Sequence, residues 1–412
     1  MTYHPRERRI DRRSFLVRSA WSAAALAVGP SLLTACGDGN SRGEASPVPL
    51  SRPDNPVSLP LYDDIPPIDD GLAPEPGTLK VFNYAEYIAP ATLRGFRAQY
   101  DVDVEVTTFT SMDQAISRLS GGDSRFDVFF ATTDVLAKLV LGRLLQPLNP
   151  SYLANRSNLW DELQDPFYDR GSRYSAPYTM YTTGIGYRVD RVEQPPEAYD
   201  NPYDTFWDER YAGDVFVLDD DREVLGMALL RRGITDVNTE DAEVIDAALA
   251  DIFEMADRVN ARVGSEAYTV LPEGRATIHQ LWAGDAVNAQ YYLPAGESIE
   301  NIGFWRPETG TMIGSDQMVV MATAERPVLA HHFIDFMLDA DRAAANFSWL
   351  GYQPPQRSLD PDRVVADGYV PAHLATTVIR PQDFATGHQL LQLSLQGDQL
   401  WNTAWSRFSS GA

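Results

Sequence analysis

Carboxylates gather beside aromatic and hydroxyl side chains at five places along this sequence. Asn83-Tyr84-Ala85-Glu86-Tyr87 follows the apolar run 79–82, and Ala131-Thr132-Thr133-Asp134 follows the run 126–130. Asp219-Asp220-Asp221-Arg222-Glu223 follows Val215–Leu218, and Trp282-Ala283-Gly284-Asp285 comes soon after Thr277-Ile278. Gly314-Ser315-Asp316 stands just ahead of a further apolar run, 318–322. Acids interleaved with aromatic faces suit an organic cation that carries ammonium groups on methylene segments. Carboxylates give each ammonium charge-assisted hydrogen bonds. Aromatic faces cover the methylenes and add cation–π attraction. Plainer readings stay open: Asp219–Asp221 could cap a helix ahead of Glu223, and Trp282 taken alone could be core.

The runs between these clusters indicate the elements that must carry them. Leu79–Tyr84 reads as a strand, and Pro90–Tyr100 as a helix with Ala91, Leu93 and Phe96 on one face. Val102–Val106 alternates as a half-buried strand. Met112–Leu119 is a short helix stopped by Gly121-Gly122, and Phe126–Phe130 is apolar throughout, as in a strand covered on both faces. Strand–helix–strand–helix–strand implies parallel pairing and a doubly wound α/β lobe. A second α/β stretch starts near Thr183, with strands at 184–187 and 215–218 and helices at 223–232 and 241–259. Met318–Ala322 reads as a buried strand and Pro327–Met337 as a helix opened by proline. Leu390–Phe408 reads as a helix whose Trp401, Trp405 and Phe408 pack into a core. In open α/β sheets ligands sit beyond the C-terminal strand ends, and most of the acid clusters fall there.

A chain of 412 residues suits two domains. Its 44% hydrophobic and 22% charged content is globular. The net charge of −24 argues against nucleic acid as a partner, because phosphate binding needs basic surface. Acidity suits a cationic ligand, although it also serves solubility. Nucleophile elbows, zinc-helix motifs, phosphate loops and dinucleotide fingerprints are absent from the sequence. The six histidines (4, 279, 331, 332, 373, 388) are scattered, and the adjacent pair would point apart on a helix. No catalytic residue, metal site or cofactor is therefore expected. The reading from another class is a hydrolase that uses Glu223 and Asp285 as a carboxylate pair.

The first 35 residues read as a processed export signal. Arg12-Arg13-Ser14-Phe15-Leu16 resembles a twin-arginine motif, and an apolar stretch from Ala20 to Leu33 follows. That stretch is too short to span a membrane, which takes about 20 residues. Leu33-Thr34-Ala35-Cys36-Gly37 resembles a lipobox, so Cys36, the one cysteine of the chain, is expected to carry a lipid. Residues 36–77 are rich in Pro, Ser, Gly and Asp and read as a flexible tether.

Taken together, these segments resemble the periplasmic polyamine-binding proteins, the spermidine/putrescine receptors of ABC importers. The resemblance runs from about Leu79 to Phe408 and rests on NYAEYIAP, FDVFFATT, APYTMYTTGIGY, LDDDREVLGMAL, WAGD, GSDQMVVM and GYQPPQ, in that order. It implies a two-lobed, type II periplasmic-binding fold. Lobe 1 would take 78–181 and 316–355, and lobe 2 would take 182–315 and 356–412. It also implies a cleft that binds a polyamine and closes by hinge motion, a monomer, and a membrane permease as partner. The ligand positions it implies are Tyr84, Glu86, Tyr87, Thr132, Asp220, Glu223, Trp282, Asp285, Asp316 and Tyr352. Two departures stand out: Tyr84 replaces a usual tryptophan, and Gly314 stands where an aromatic is common. They imply a more open aromatic box, able to admit a longer or bulkier cation. Another small organic cation or solute in the same fold is the alternative ligand.

Overall fold

Apolar runs of strand length alternate with amphipathic helices in the computed structural model, which describes residues 50–122, 125–264 and 266–409. The expected export signal and Cys36 lie outside the described residues. The first half builds β1 (Thr78–Tyr84), α1 (Pro90–Tyr100), β2 (Asp103–Phe109), α2 (Met112–Ser120), β3 (Val128–Thr132) and α3 (Thr133–Leu141). β1 pairs in parallel with both β2 and β3, placing their C-terminal ends along one edge. The second half builds β4 (Ala176–Arg188), β5 (Val215–Val217), α4 (Asp221–Arg231), α5 (Ala242–Val259), β6 (Ile278–Trp282) and α6 (Ala283–Asn288). β7 (Ile302–Trp305), β8 (Met312–Met321), α7 (Pro327–Met337), α8 (Ala340–Leu350) and α9 (Leu395–Ser409) complete the framework. α1 and α7 both start at proline, whose missing N–H costs nothing in a first turn.

The two lobes share strands. β4 is 13 residues long: Ala176 and Tyr178 pack in the core beneath β1–β3, whereas Ile185 packs in the core formed with β5, α4 and α5. β8 runs antiparallel both to β4, over Met312–Met318, and to β3, over Asp316–Val320. Their ladders join the whole into one sheet of order β2-β1-β3-β8-β4-β6-β5, and the register between β8 and β4 shifts between Asp316 and Gln317. Two strands, β4 and β8, thus run from one lobe into the other. Such antiparallel crossing strands depart from a purely parallel doubly wound arrangement.

Three expected elements differ from the structure. β8 begins at Met312 rather than Met318, since its first residues pair with β4 despite the Gly-Ser-Asp sequence. α9 begins at Leu395 rather than Leu390, because His388-Gln389 is extended and pairs with β8. The third difference concerns residues 50–77, which form a packed strap. The Val57 backbone exchanges hydrogen bonds with Phe167 and Arg170 (2.8 and 2.9 Å). Val57 and Leu59 are buried in a core with Phe82, Phe109 and Phe129. The Tyr174 hydroxyl donates to the Pro60 carbonyl at 2.6 Å. Glu75 accepts from the Val328 and Leu329 N–H groups at the start of α7 (3.1 and 2.8 Å), where the helix dipole favours an anion. A low average hydropathy conceals two apolar residues spaced to face one side. Leu59→Ala therefore costs about 2–5 kcal/mol of stability, the scale for a buried Leu truncation, read from urea unfolding; a loss within noise would mean the strap is dispensable.

Candidate ligand site in the interlobe cleft

The C-terminal ends of β1, β2 and β3, together with β8, face the ends of β5 and β6 across a cavity of about 540 Å³, a usual size for a small-molecule site. All ten residues expected at a ligand line it: Tyr84, Glu86, Tyr87, Thr132, Asp220, Glu223, Trp282, Asp285, Asp316 and Tyr352. Among the described residues, eleven acids line the wall against three cations, Lys138, Arg222 and Arg275. Each cation has a partner: Arg222 donates to Leu391 and Asn238 and covers Trp401, Arg275 pairs with Glu273, and Lys138 pairs with Asp398. The cavity wall is thus strongly negative.

Local structure explains how the acids come together. Among the described residues, five helices bring a first-turn acid to this cavity: Asp113 in α2, Asp134 in α3, Asp221 and Glu223 in α4, Asp285 in α6 and Asp398 in α9. A helix start carries roughly half a positive charge and favours an anion. An ionised carboxylate outweighs that half charge, so each of these helix ends presents net negative charge to the cavity once its acid has lost its proton. Asp220 serves both of its possible readings: it caps α4 by accepting from the Glu223 N–H at 3.0 Å, and it lines the cavity. Gln280 on β6 donates to the Glu223 carbonyl at 2.8 Å, fixing the start of α4 against the sheet.

Of the acids lining the cavity, three are buried deepest, with Glu223 2%, Asp285 4% and Asp316 4% exposed. Asp316 accepts from the Tyr87 hydroxyl, and Thr179 lies at 3.4 Å from the same oxygen. One Glu223 oxygen accepts from the Trp282 indole N–H at 2.9 Å, and one Asp285 oxygen accepts from the Tyr352 hydroxyl at 2.7 Å. Among the described residues, the second oxygen of each, Oε2 of Glu223 and Oδ2 of Asp285, is buried without a hydrogen-bond partner. Burial disfavours the charged form and pushes Glu223, Asp285 and Asp316 each up to about 7. Asp220 rises to about 7 as well, from burial first and then from the neighbouring Glu223 charge. Carboxylates held in this condition favour any cation that can replace their lost hydration.

The aromatic rings enclose these acids. Tyr87 meets Tyr84 and Tyr352 edge to face, with centroids 5.6 and 5.1 Å apart, and Tyr181 meets Trp282 edge to face at 6.2 Å. Gly284 makes room for Tyr352, since a Cβ there would fall 2.2 Å from the ring. The expected open box at Gly314 is not what the structure shows. Gly314 pairs with Tyr181 across the β8–β4 ladder, and a Cβ at 314 would lie 2.3 Å from the Tyr181 ring. Glycine on one strand admits the aromatic from its neighbour, so the wall is closed by Tyr181. Sequence reasoning missed Tyr181, Tyr268, Asp113 and Lys138 and left Asp134 out of the site, although all five line the cavity. Asp134 had a signal in its place just past β3. Tyr181 required the antiparallel register, which no local pattern carries.

Comparison with known proteins agrees with this arrangement. Residues 91–372 match the family of bacterial extracellular solute-binding proteins. The chain is 29% identical to a putrescine/cadaverine-binding protein of Pseudomonas aeruginosa, over 69% of this chain and 80% of that protein. It is 28% identical to the spermidine/putrescine-binding periplasmic protein of Escherichia coli, over 69% of this chain and 79% of that one. Among solved structures, the spermidine/putrescine transporter substrate-binding protein PotD of Streptococcus pneumoniae superimposes with a TM-score of 0.62 at 22% identity, covering 81% of this chain and 99% of that one. Hence this chain, with its two lobes joined by crossing strands around an acid-lined cleft, has the type II periplasmic-binding fold and belongs to the bacterial extracellular solute-binding protein family.

Proposed function

We propose that this protein captures a polyamine of the putrescine/spermidine class in its interlobe cleft and delivers it to an ABC permease in the membrane. The observation that carries this reading is the trio Asp316, Asp285 and Glu223, buried among aromatic rings with two carboxylate oxygens unpartnered. An alkyl polyamine matches both demands of that wall, with ammonium groups for the acids and methylenes for the rings. The names of the relatives point to the same ligand class. Lipid attachment at Cys36 would hold the receptor at the membrane face, and a monomer suffices for the cleft. Calorimetric titration with putrescine, spermidine and spermine tests the reading; heat and a saturating isotherm are expected, and silence across the panel overturns it.

Binding should also depend on pH. The raised carboxylates hold protons in the folded protein that the unfolded chain, with ordinary values near 4, has already released. Between about pH 4 and 7 the contribution of these three acids to the stability of the unliganded protein therefore falls as pH rises. A polyamine selects the ionised acids, so its affinity rises over the same window and its binding releases protons. From pH 5.5 to pH 8 affinity should increase about 30-fold or more. At pH 6.5, calorimetry in two buffers of different ionisation heat should show about one proton or more released. A constant affinity with no proton release would contradict the role given to these acids.

A further inference from the structure

The outer end of the cavity already holds a cation of the protein's own. Lys138 lies on α3, four residues after Asp134 and so on the same helical face. Its ammonium contacts Asp398 of α9 at 2.8 Å. α9 belongs to the other lobe, where Trp401 and Ala404 pack in the core with α4 and α5, so this ion pair bridges the cleft. Asp113 joins the group electrostatically, interacting with Asp134, Lys138 and Asp398. These groups are more solvent-reached than the inner acids: Lys138 and Asp398 are half-buried, whereas Glu223, Asp285 and Asp316 are buried. The cavity therefore has a buried inner end whose acids are paired with uncharged hydroxyl or indole donors, and an outer end where a lysine stands among the carboxylates.

We infer that Lys138 is a specificity-determining residue that limits ligand length, its ammonium occupying with Asp398 the station that the far end of a long polyamine would need. The inference rests on the polyamine reading of the same cavity. A short diamine satisfies the inner acids without approaching Lys138. A tetra-amine engaged at the inner acids carries further ammonium groups toward the outer end. There they meet a like charge already paired with Asp398, and like charges brought together oppose binding. The pair selects by repulsion, while the inner acids attract every member of the class.

Calorimetry with putrescine, spermidine and spermine on the wild type, Lys138→Met and Asp398→Asn tests this. Lys138→Met should raise the spermine-to-putrescine affinity ratio about tenfold or more by removing the repulsion. Asp398→Asn should lower the ratio, because Lys138 then faces the ligand without its partner. A pair that merely latched the lobes would move affinities for all three ligands in the same direction in both variants, leaving the ratio unchanged, and that result overturns the inference. Wild-type binding with flat ratios overturns the length filter alone. No binding of any polyamine by the wild type overturns the polyamine reading and the filter with it.

Discussion

Replacing Asp316 by asparagine weakens putrescine and spermidine binding by about 10- to 150-fold, the scale for losing a charged hydrogen-bond partner, roughly 1.5–3 kcal/mol. The change is nearly isosteric, so shape is retained while the charge is lost. Tyr87 still has an acceptor in the amide oxygen, which keeps the aromatic wall where it is. Glu223→Gln should behave alike, since Trp282 N–H can donate to an amide oxygen. Both variants should also flatten the pH dependence, as each removes one titrating acid. Full affinity in both would place the cation elsewhere.

The second large effect is expected at Trp282. Its ring closes the lobe 2 side of the cavity against Tyr181, and its N–H holds one oxygen of Glu223. Trp282→Ala removes a cation–π face worth roughly 0.5–2 kcal/mol and leaves the buried Glu223 with neither oxygen paired. Affinity should drop by about 100-fold, combining that loss with the lost order of Glu223. Trp282→Phe keeps a face and loses the N–H, so it should fall between the wild type and Trp282→Ala. Equal losses in the two variants would assign the whole effect to the hydrogen bond with Glu223. Titration calorimetry supplies these affinities, and circular dichroism melts of the same samples show whether folding is intact.

Local patterns made the first half of the fold legible. β1, β3 and α1 follow from continuous apolar runs, an alternating strand between them and a proline at a helix start. The crossing strands were less readable. Met312–Asp316 contains glycine, serine and an acid, and becomes strand only because β4 offers it a long antiparallel edge. The strap at 50–77 was hidden for a related reason, as Val57 and Leu59 find their core only in residues far along the chain. At the site, the strand-end acids and the rings of Tyr84, Tyr87 and Trp282 could be read from position alone. Tyr181 and Lys138 could not. Tyr181 reaches the cavity through register with Gly314, and Lys138 through an ion pair with a helix 260 residues further on.

Buried carboxylates on both lobes are expected to hold the ammonium groups of a polyamine. A crystal structure of the mature protein with putrescine tests it most directly. The diamine is expected inside the cleft, one nitrogen within hydrogen-bond distance of Asp316 and the other at Asp285 or Glu223, with methylenes against Tyr84, Tyr181 or Trp282. Putrescine bound outside the cleft, or inside it with both nitrogens away from these three acids, would overturn that role for the carboxylates.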